Sequence, residues 1–381
     1  MSTFRTTNCW SLGLVLACAA ATTSGQQPNS TPPQKPPQQE EQEPIKTVTE
    51  EVQLPVAVFD NRGHPDPTLE LDDIMVLEDG VPQEIKSARR APASVLLLLD
   101  TGGELNSAKN IRVTRAIARQ LVSGLSPQDQ ISVMQFNNKS ELLQDWTKDT
   151  KLVLQVLDTK LSAGKRAHFS AAILSASERL SDRPVGNRHL VMITDGVETP
   201  GGLVDRNEAL KRLTASNTVV HVISYTVVSR LPIEQSQRRV RKRDKSTVPD
   251  EVVDTLPNDD GYRQLKELHK PGGIIVDLDP DRRRQIKEYE AAMRASEWQL
   301  VSLARETGGH IWLPESFAEM VGDGTEAARL IDAEYVVTYR PKRPLAAARA
   351  GEVRRIDVVS RRVGLNLVAR RFYVVPAKPR T

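Results

Sequence analysis

Two unbroken apolar strands, each ending in an aspartate, constrain the fold more than any other feature of this sequence. Val95–Asp100 reads Val-Leu-Leu-Leu-Leu-Asp, and His189–Asp195 reads His-Leu-Val-Met-Ile-Thr-Asp. A strand without polar alternation is typical of a parallel sheet whose two faces are both covered by helices. The sequence therefore predicts an α/β domain in which Asp100 and Asp195 lie at the carboxyl edge of one sheet.

Segments with helical periodicity alternate with strands along the middle of the chain. The predicted helices are Ala108–Leu125, Lys151–Leu161, Ala171–Leu180, Arg206–Leu213, a long one from Asp281 to Gly308 and one through Ala327–Ile331. The further predicted strands are Ile131–Phe136, Val219–Val227, His310–Leu313 and Glu334–Arg340. This alternation predicts an α/β fold with a doubly wound, mostly parallel sheet and helices on both faces.

Antiparallel β-structure is predicted on either side of this domain. Residues 46–92 contain Asp79-Gly80 between two short strands, a strong hairpin signal, and are interpreted as a small antiparallel β unit. Residues 93–345 form the α/β domain, with a basic, proline-containing insertion at about 231–280 that includes Arg238–Lys245 and lacks periodicity. Residues 346–381 are predicted to form a C-terminal β-hairpin and tail.

The N-terminal residues indicate export to the periplasm or the extracellular space. Residues 1–25 combine an early positive charge, the apolar run Trp10–Ala21 and small residues, which is the layout of a signal peptide. The segment ending at Cys18 also resembles a lipoprotein cleavage box, in which this cysteine would be acylated. Residues 26–45 are rich in proline and glutamine, and predict a disordered spacer. No cysteine follows Cys18, so the folded part is predicted to lack disulfides.

The strand that ends in Asp100 and the later Thr194-Asp195-Gly196 resemble the core of a von Willebrand factor A (VWA) domain. Flanking motifs make the resemblance more specific. They are Val58-Phe59-Asp60-Asn61-Arg62-Gly63, Leu77-Glu78-Asp79-Gly80-Val81-Pro82-Gln83, Glu306-Thr307-Gly308-Gly309 and Tyr335-Val336-Val337-Thr338-Tyr339-Arg340-Pro341. Together they are similar to exported, acidobacterial-type VWFA-related proteins, from about residue 47 to 375 apart from the basic insertion.

The resemblance implies a metal-ion-dependent adhesion site. In the family, an Asp-x-Ser-x-Ser segment, a loop threonine and a later aspartate hold Mg²⁺, and an acidic residue of the partner completes its shell. This sequence keeps Asp100 and Asp195, but has Gly102 and Glu104 where the family has serine, and Ala167 where it has threonine. The site is therefore predicted to be degenerate, with Asp100, Glu104 and Asp195 as the candidate metal ligands.

The remaining residues near this edge do not replace the missing metal ligands. Ser170 could supply one oxygen, whereas Lys165 and Arg166 place positive charge where a cation would bind. Binding of Mg²⁺ is accordingly not expected, and no other cofactor is predicted. Restoring serine at positions 102 and 104 with threonine at 167 should create an ion response if the alignment of the loops is right.

The function predicted from these observations is binding rather than catalysis. Asp100, Glu104, His168 and Asp195 are the candidate partner-binding residues, and the partner is expected to be a protein. No nucleophile motif or phosphate loop occurs, no histidine pair has the spacing of a zinc motif, and His221 is interpreted as a core residue. A net charge of +3 and the predicted export argue against nucleic acid. The alternative is a structural or assembly component of the cell envelope, tethered through a lipid on Cys18.

Overall fold

The structure is a computed structural model that describes residues 51–103, 111–243 and 280–375. The predicted signal peptide, spacer and most of the basic insertion lie outside these residues. The strands are β1 (Val52–Phe59), β2 (Ile74–Glu78), β3 (Val81–Pro82), β4 (Glu84–Arg89), β5 (Ser94–Asp100), β6 (Gln130–Phe136), β7 (Ser140–Thr147), β8 (Arg188–Thr194), β9 (Val219–Ser224), β10 (Ile311–Trp312), β11 (Glu334–Arg340), β12 (Val353–Ser360), β13 (Asn366–Ala369) and β14 (Phe372–Val374). The helices are α1 (Ile111–Gly124), α2 (Thr150–Thr159), α3 (Phe169–Ser181), α4 (Arg206–Ala215), α5 (Thr226–Arg243), α6 (Pro280–Thr307) and α7 (Phe317–Asp332).

The predicted α/β fold is confirmed. Within the described residues the central sheet has six strands in the order β10-β9-β8-β5-β6-β7. All neighbours are parallel except β7, which pairs antiparallel with β6 at one edge. The two strands that the sequence marks as most apolar, β5 and β8, are neighbours near the centre of the sheet.

Alternate residues of β5 supply two separate cores. Val95, Leu97 and Leu99 pack with α1, α2 and α7 on one face of the sheet. Leu96 and Leu98 pack with α3, α4 and α6 on the other face. All five side chains are fully buried, which explains why this strand shows no polar alternation.

Two further sheets enclose a third core. In the described residues each has four strands, ordered β13-β1-β11-β4 and β14-β12-β2-β3. Strand β1 contributes Val52, Leu54, Val56 and Val58, which are buried with side chains from β2, β11 and β12. The turn between β2 and β3 has φ of 50° at Asp79 and 80° at Gly80, so the predicted Asp-Gly hairpin is present.

The outer strands pair differently from the simple sequence interpretation. The antiparallel β-structure predicted in residues 46–92 is present, but later strands complete its sheets: β1 pairs with β11 and β13, and β2 pairs with β12. The predicted C-terminal hairpin is present only as the antiparallel pair of β12 and β14, since β13 between them belongs to the other sheet. Strand β11, predicted in the central sheet, also belongs to this outer layer.

The start of the basic insertion is helical, which corrects the prediction of an irregular segment from residue 231. Helix α5 continues to Arg243 and contains Pro232. Its Arg230 contacts Glu297 of α6 at 3.1 Å, and Arg294 of α6 contacts Glu234 at 2.7 Å. Ion pairs between neighbouring helices therefore support a helix that has little apolar periodicity of its own.

Among the described residues, no helix combines the length and apolar character needed to cross a lipid bilayer.

Candidate functional site at the carboxyl edge of the central sheet

Asp100 joins the ends of β5 and β8. Its Oδ2 accepts a 2.7 Å hydrogen bond from the Thr194 hydroxyl, and its Oδ1 accepts one of 3.1 Å from the Gly102 amide. Asp195, the next residue after β8, accepts a hydrogen bond from the Val197 amide through Oδ1. Asp100 is fully buried and Asp195 is 2% exposed, so both carboxylates hold loops at this edge.

The loop before α3 packs directly on Gly102. A Cβ atom at position 102 would lie 1.9 Å from the carbonyl oxygen of Arg166 and 3.0 Å from the Cα of Ala167. The Gly164 amide also donates a 2.9 Å hydrogen bond to the Thr101 carbonyl, which fixes the same loop against the end of β5. Backbone atoms therefore occupy the space that the first serine side chain of the family's metal site would need.

The loop after β8 closes the site from the other side. Two hydrogen bonds of 2.9 Å join Thr199 to Ala167. The Thr199 amide donates to the Ala167 carbonyl, and the Ala167 amide donates to the Thr199 hydroxyl. Glu198 Oε2 accepts 2.7 Å hydrogen bonds from the amide and the hydroxyl of Ser170 at the start of α3. A carboxylate is favourable there because the helix N-terminus carries partial positive charge. His168 Nδ1 lies 3.7 Å from Glu198 Oε1.

Arg206 places a fixed positive charge among these carboxylates. Its Nη1 donates a 2.8 Å hydrogen bond to the Gly196 carbonyl, and its guanidinium carbon lies 4.8 Å from the centre of the Phe169 ring. Burial lowers the pKa of this guanidinium, and the charges of Glu198 and Asp195 oppose that change. The charges of Glu198 and Asp195 therefore favour the charged form of Arg206 at this partly buried position.

The described residues at this edge do not fit the metal that the family implies, and Glu104, the third candidate ligand, lies outside them. Gly102 and Ala167 have no side-chain oxygen, and the first has no space for one. Both oxygens of Asp100 are hydrogen-bonded within the protein. The hydroxyl of Ser170, which the sequence offered as a further oxygen, is directed to Glu198. Arg206 adds a cation that would repel another one.

The structure brings together three of the four candidate partner-binding residues. Asp100, His168 and Asp195 all belong to the loops just described, whereas Glu104 lies outside the described residues. Sequence reasoning did not identify Glu198 or Arg206. Polar residues immediately after Asp195 were the available signal for the first, but nothing in the sequence links the second to the site.

Comparison with known families identifies a related domain in part of the chain. Residues 95–198 match the family model described as von Willebrand factor type A domain. That segment contains β5, β8 and the loops that carry Asp100, His168 and Asp195. Residues 95–198 are therefore similar to a VWA domain, a module type that commonly mediates protein–protein interaction.

Solved structures of VWA proteins are similar to this chain at low sequence identity. A von Willebrand factor type A protein from Catenulispora acidiphila is 10% identical, with 88% of this chain and 76% of that chain covered and a TM-score of 0.40. An aerotolerance-related membrane protein from Bacteroides fragilis, solved with multiple mutations to serines, is 16% identical over 62% of this chain and 98% of that one, with a TM-score of 0.36. The vWF domain of the type V pili tip protein Mfa5 from Porphyromonas gingivalis is 20% identical over 28% of this chain and 39% of that one, with a TM-score of 0.26. A search of curated proteins gave no match.

Proposed function

We propose that this chain is an exported, adhesion-like VWA module of the VWFA-related type that binds a protein partner without a metal ion and without catalysis. The observation that carries the proposal is the packing of the Arg166 carbonyl on Gly102, which leaves no space for a serine ligand. The Arg206 guanidinium beside Asp195 and Glu198 supports it, because this cation balances the carboxylates from within the protein.

The exposed rim of the site carries positive charge. Lys165 and Arg166 are exposed and His168 is half-buried, whereas Asp100 and Asp195 are buried. We therefore infer that the two aspartates position the loops, and that the residues of the rim contact the partner directly. An acidic face of a protein fits this rim by charge complementarity, so that Lys165 and Arg166 replace the metal ion as the group that attracts the partner's carboxylates.

A cross-linking experiment on the native envelope tests this proposal. We expect the variant Lys165→Glu/Arg166→Glu to recover the cross-linked partner at least about 10-fold less than the wild type does, since charge reversal turns attraction into repulsion. The matched control is Lys211→Glu/Lys342→Glu, which makes the same charge change at two exposed lysines outside the site. Equal recovery by the rim variant, or recovery of the partner that requires added Mg²⁺ or Ca²⁺, contradicts the proposal.

Millimolar Mg²⁺ or Ca²⁺ is expected to leave the thermal stability unchanged. An ion present at about 100 times its dissociation constant would add about 2.7 kcal/mol, but Gly102 and Ala167 offer no oxygen ligand. The measurement is thermal denaturation of dialysed protein with and without each ion. A melting temperature that rises by several degrees, and no longer rises in Asp100→Ala, would instead indicate a metal-dependent site.

Export predicts a processed N-terminus. The mature protein should begin between about Ala19 and Gln27, because signal peptidases cleave after small residues. N-terminal sequencing of the protein from its native cells measures this directly. Detergent partitioning distinguishes acylation of Cys18 from free secretion, and a mature protein that still begins at Met1 rules out cleavage.

A further inference from the structure

A buried group of two histidines and one glutamate lies away from the carboxyl edge. His189 is the second residue of β8, His221 lies in the middle of β9, and Glu334 is the first residue of β11. The histidine side chains are 0% exposed and the glutamate side chain 2%. The group therefore connects two strands of the central sheet to a strand of the outer layer. We call it the His–His–Glu cluster.

The separations within the cluster match those between the ligands of a metal ion. His189 Nδ1 lies 3.3 Å from His221 Nε2, and Glu334 Oε1 lies 3.8 Å from His221 Nε2. One possible ligand atom from each of the three residues lies within 4.8 Å of the other two. Two ligands at about 2.0–2.1 Å from a tetrahedral zinc ion are roughly 3.3 Å apart. One ligand atom from each residue can therefore reach a common centre with small movements.

The hydrogen bonding of His189 leaves one ring nitrogen available to a metal. Its Nε2 lies 2.7 Å from the Asn187 side-chain oxygen, which accepts the ring proton. The Nδ1 lone pair then points to the cluster, and an outer hydrogen bond of this kind usually orients a histidine that binds metal.

Glu334 has no hydrogen-bond donor among the described residues, although both its carboxylate oxygens are buried. The nearby cation Arg370 directs its Nη1 to Asn217 and its Nη2 to the Thr218 carbonyl. A divalent cation bound by both histidines would pair with the Glu334 carboxylate.

We propose that His189, His221 and Glu334 form a zinc site that ties the central sheet to the outer β-layer. Two imidazoles and a carboxylate suit Zn²⁺ rather than Mg²⁺ or Ca²⁺, which prefer oxygen ligands. Three protein ligands leave a fourth position for water. Solvent reaches the vicinity of the cluster, because the neighbouring residues His310 and Arg370 also line a cavity of about 550 Å³.

Binding of the ion removes two hydrogen bonds of the described arrangement, the one between the two imidazoles and the one from the His310 amide to His221. His221 Nδ1 accepts a 3.3 Å hydrogen bond from the His310 amide, which assigns the ring proton of His221 to Nε2. Coordination through Nε2 moves this proton to Nδ1 and gives up that long hydrogen bond. The protein without metal therefore has a hydrogen-bonded chain from the His310 amide through both imidazoles to Asn187, and this chain is the competing account that the experiment must exclude.

Metal analysis of the whole chain tests the proposal. The protein is produced without a histidine tag, unfolded in chelator, and refolded with Zn²⁺ or Co²⁺. We expect about one equivalent of tightly held zinc, and with Co²⁺ the intense visible absorption of a tetrahedral site. Under a tenth of an equivalent of zinc together with no such absorption overturns the proposal, and leaves the hydrogen-bonded chain as the function of the cluster.

Single substitutions locate the ion. His189→Gln and His221→Gln should each weaken zinc binding at least about 10-fold, whereas His310→Gln removes a neighbouring histidine that is not a ligand and should leave the zinc content unchanged. Zinc retained in both ligand variants, or lost in His310→Gln alone, overturns the assignment. If a ligand variant does not fold, the refolding of the wild type with and without metal decides the question. None of these results depends on partner binding at the carboxyl edge.

Discussion

Replacing Arg354 with alanine is expected to lower the free energy of unfolding by about 3–5 kcal/mol. This fully buried guanidinium donates through Nη1 to Glu78 at 2.7 Å and to the Arg343 carbonyl at 2.8 Å. Glu78 is 3% exposed, and among the described residues its other side-chain donor is the hydroxyl of Tyr339 at 2.8 Å. Alanine at position 354 would leave the Glu78 carboxylate, which is buried between the two outer sheets, without its counter-ion.

Urea denaturation of the variant measures this effect, with Arg355→Ala as the matched control. Arg355 follows directly in β12, but its side chain is 68% exposed and pairs with Asp357 at the surface, so its loss should cost under about 1 kcal/mol. Replacing both buried partners, as in Glu78→Met/Arg354→Met, should cost less than Arg354→Ala, since no unpaired charge remains. A change under about 1 kcal/mol in Arg354→Ala would mean that solvent reaches Glu78.

Gly102→Ala is expected to lower the free energy of unfolding by about 1–3 kcal/mol, or more if the loop cannot move. The added methyl group would meet the Arg166 carbonyl oxygen at 1.9 Å, and a backbone atom cannot rotate away as a side chain can. Serine adds an oxygen at the same place. Restoring the family's serine at position 102 is therefore expected to destabilise the protein, so the ion response predicted for the triple variant also requires the loop before α3 to move away from position 102.

Gly322→Ala is the control for this substitution. Gly322 lies within α7, and an added Cβ there would have no atom within 4 Å. Alanine should stabilise this helix by up to about 1 kcal/mol, because glycine is the poorer helix former. Thermal and urea denaturation of both variants give the comparison. Unchanged stability in Gly102→Ala would show that the loop before α3 moves freely, and would reopen the question of space for a metal ligand.

The central sheet could be predicted from the sequence because its signals are local. The apolar runs in β5 and β8 require burial on both faces, and the segments between them have helical periodicity. Asp100 and Asp195 could be placed at one edge for the same reason, since the carboxyl ends of parallel strands coincide. The Asp79-Gly80 turn could also be predicted from the sequence, because glycine and aspartate tolerate positive φ.

Partners that are distant in sequence could not be predicted in the same way. The alternation in β1 indicates a buried face, but it does not say that the neighbours are β11 and β13. The helical part of the basic insertion depends on ion pairs between α5 and α6, which composition does not reveal. His189 and His221 are far from any zinc-motif spacing, and only the parallel pairing of β8 and β9 brings them together.

The pairing of β1 with β11 and β13 sets an order in which the chain can fold. Strand β1 is among the first described residues, and β13 and β14 are among the last, so the outer sheets cannot be complete until nearly all of these residues are available. Each strand of the central sheet instead pairs with strands that lie between these ends. Closing so long a loop is slow relative to forming local contacts. The outer layer should therefore assemble last, around a central sheet that already has its own two cores.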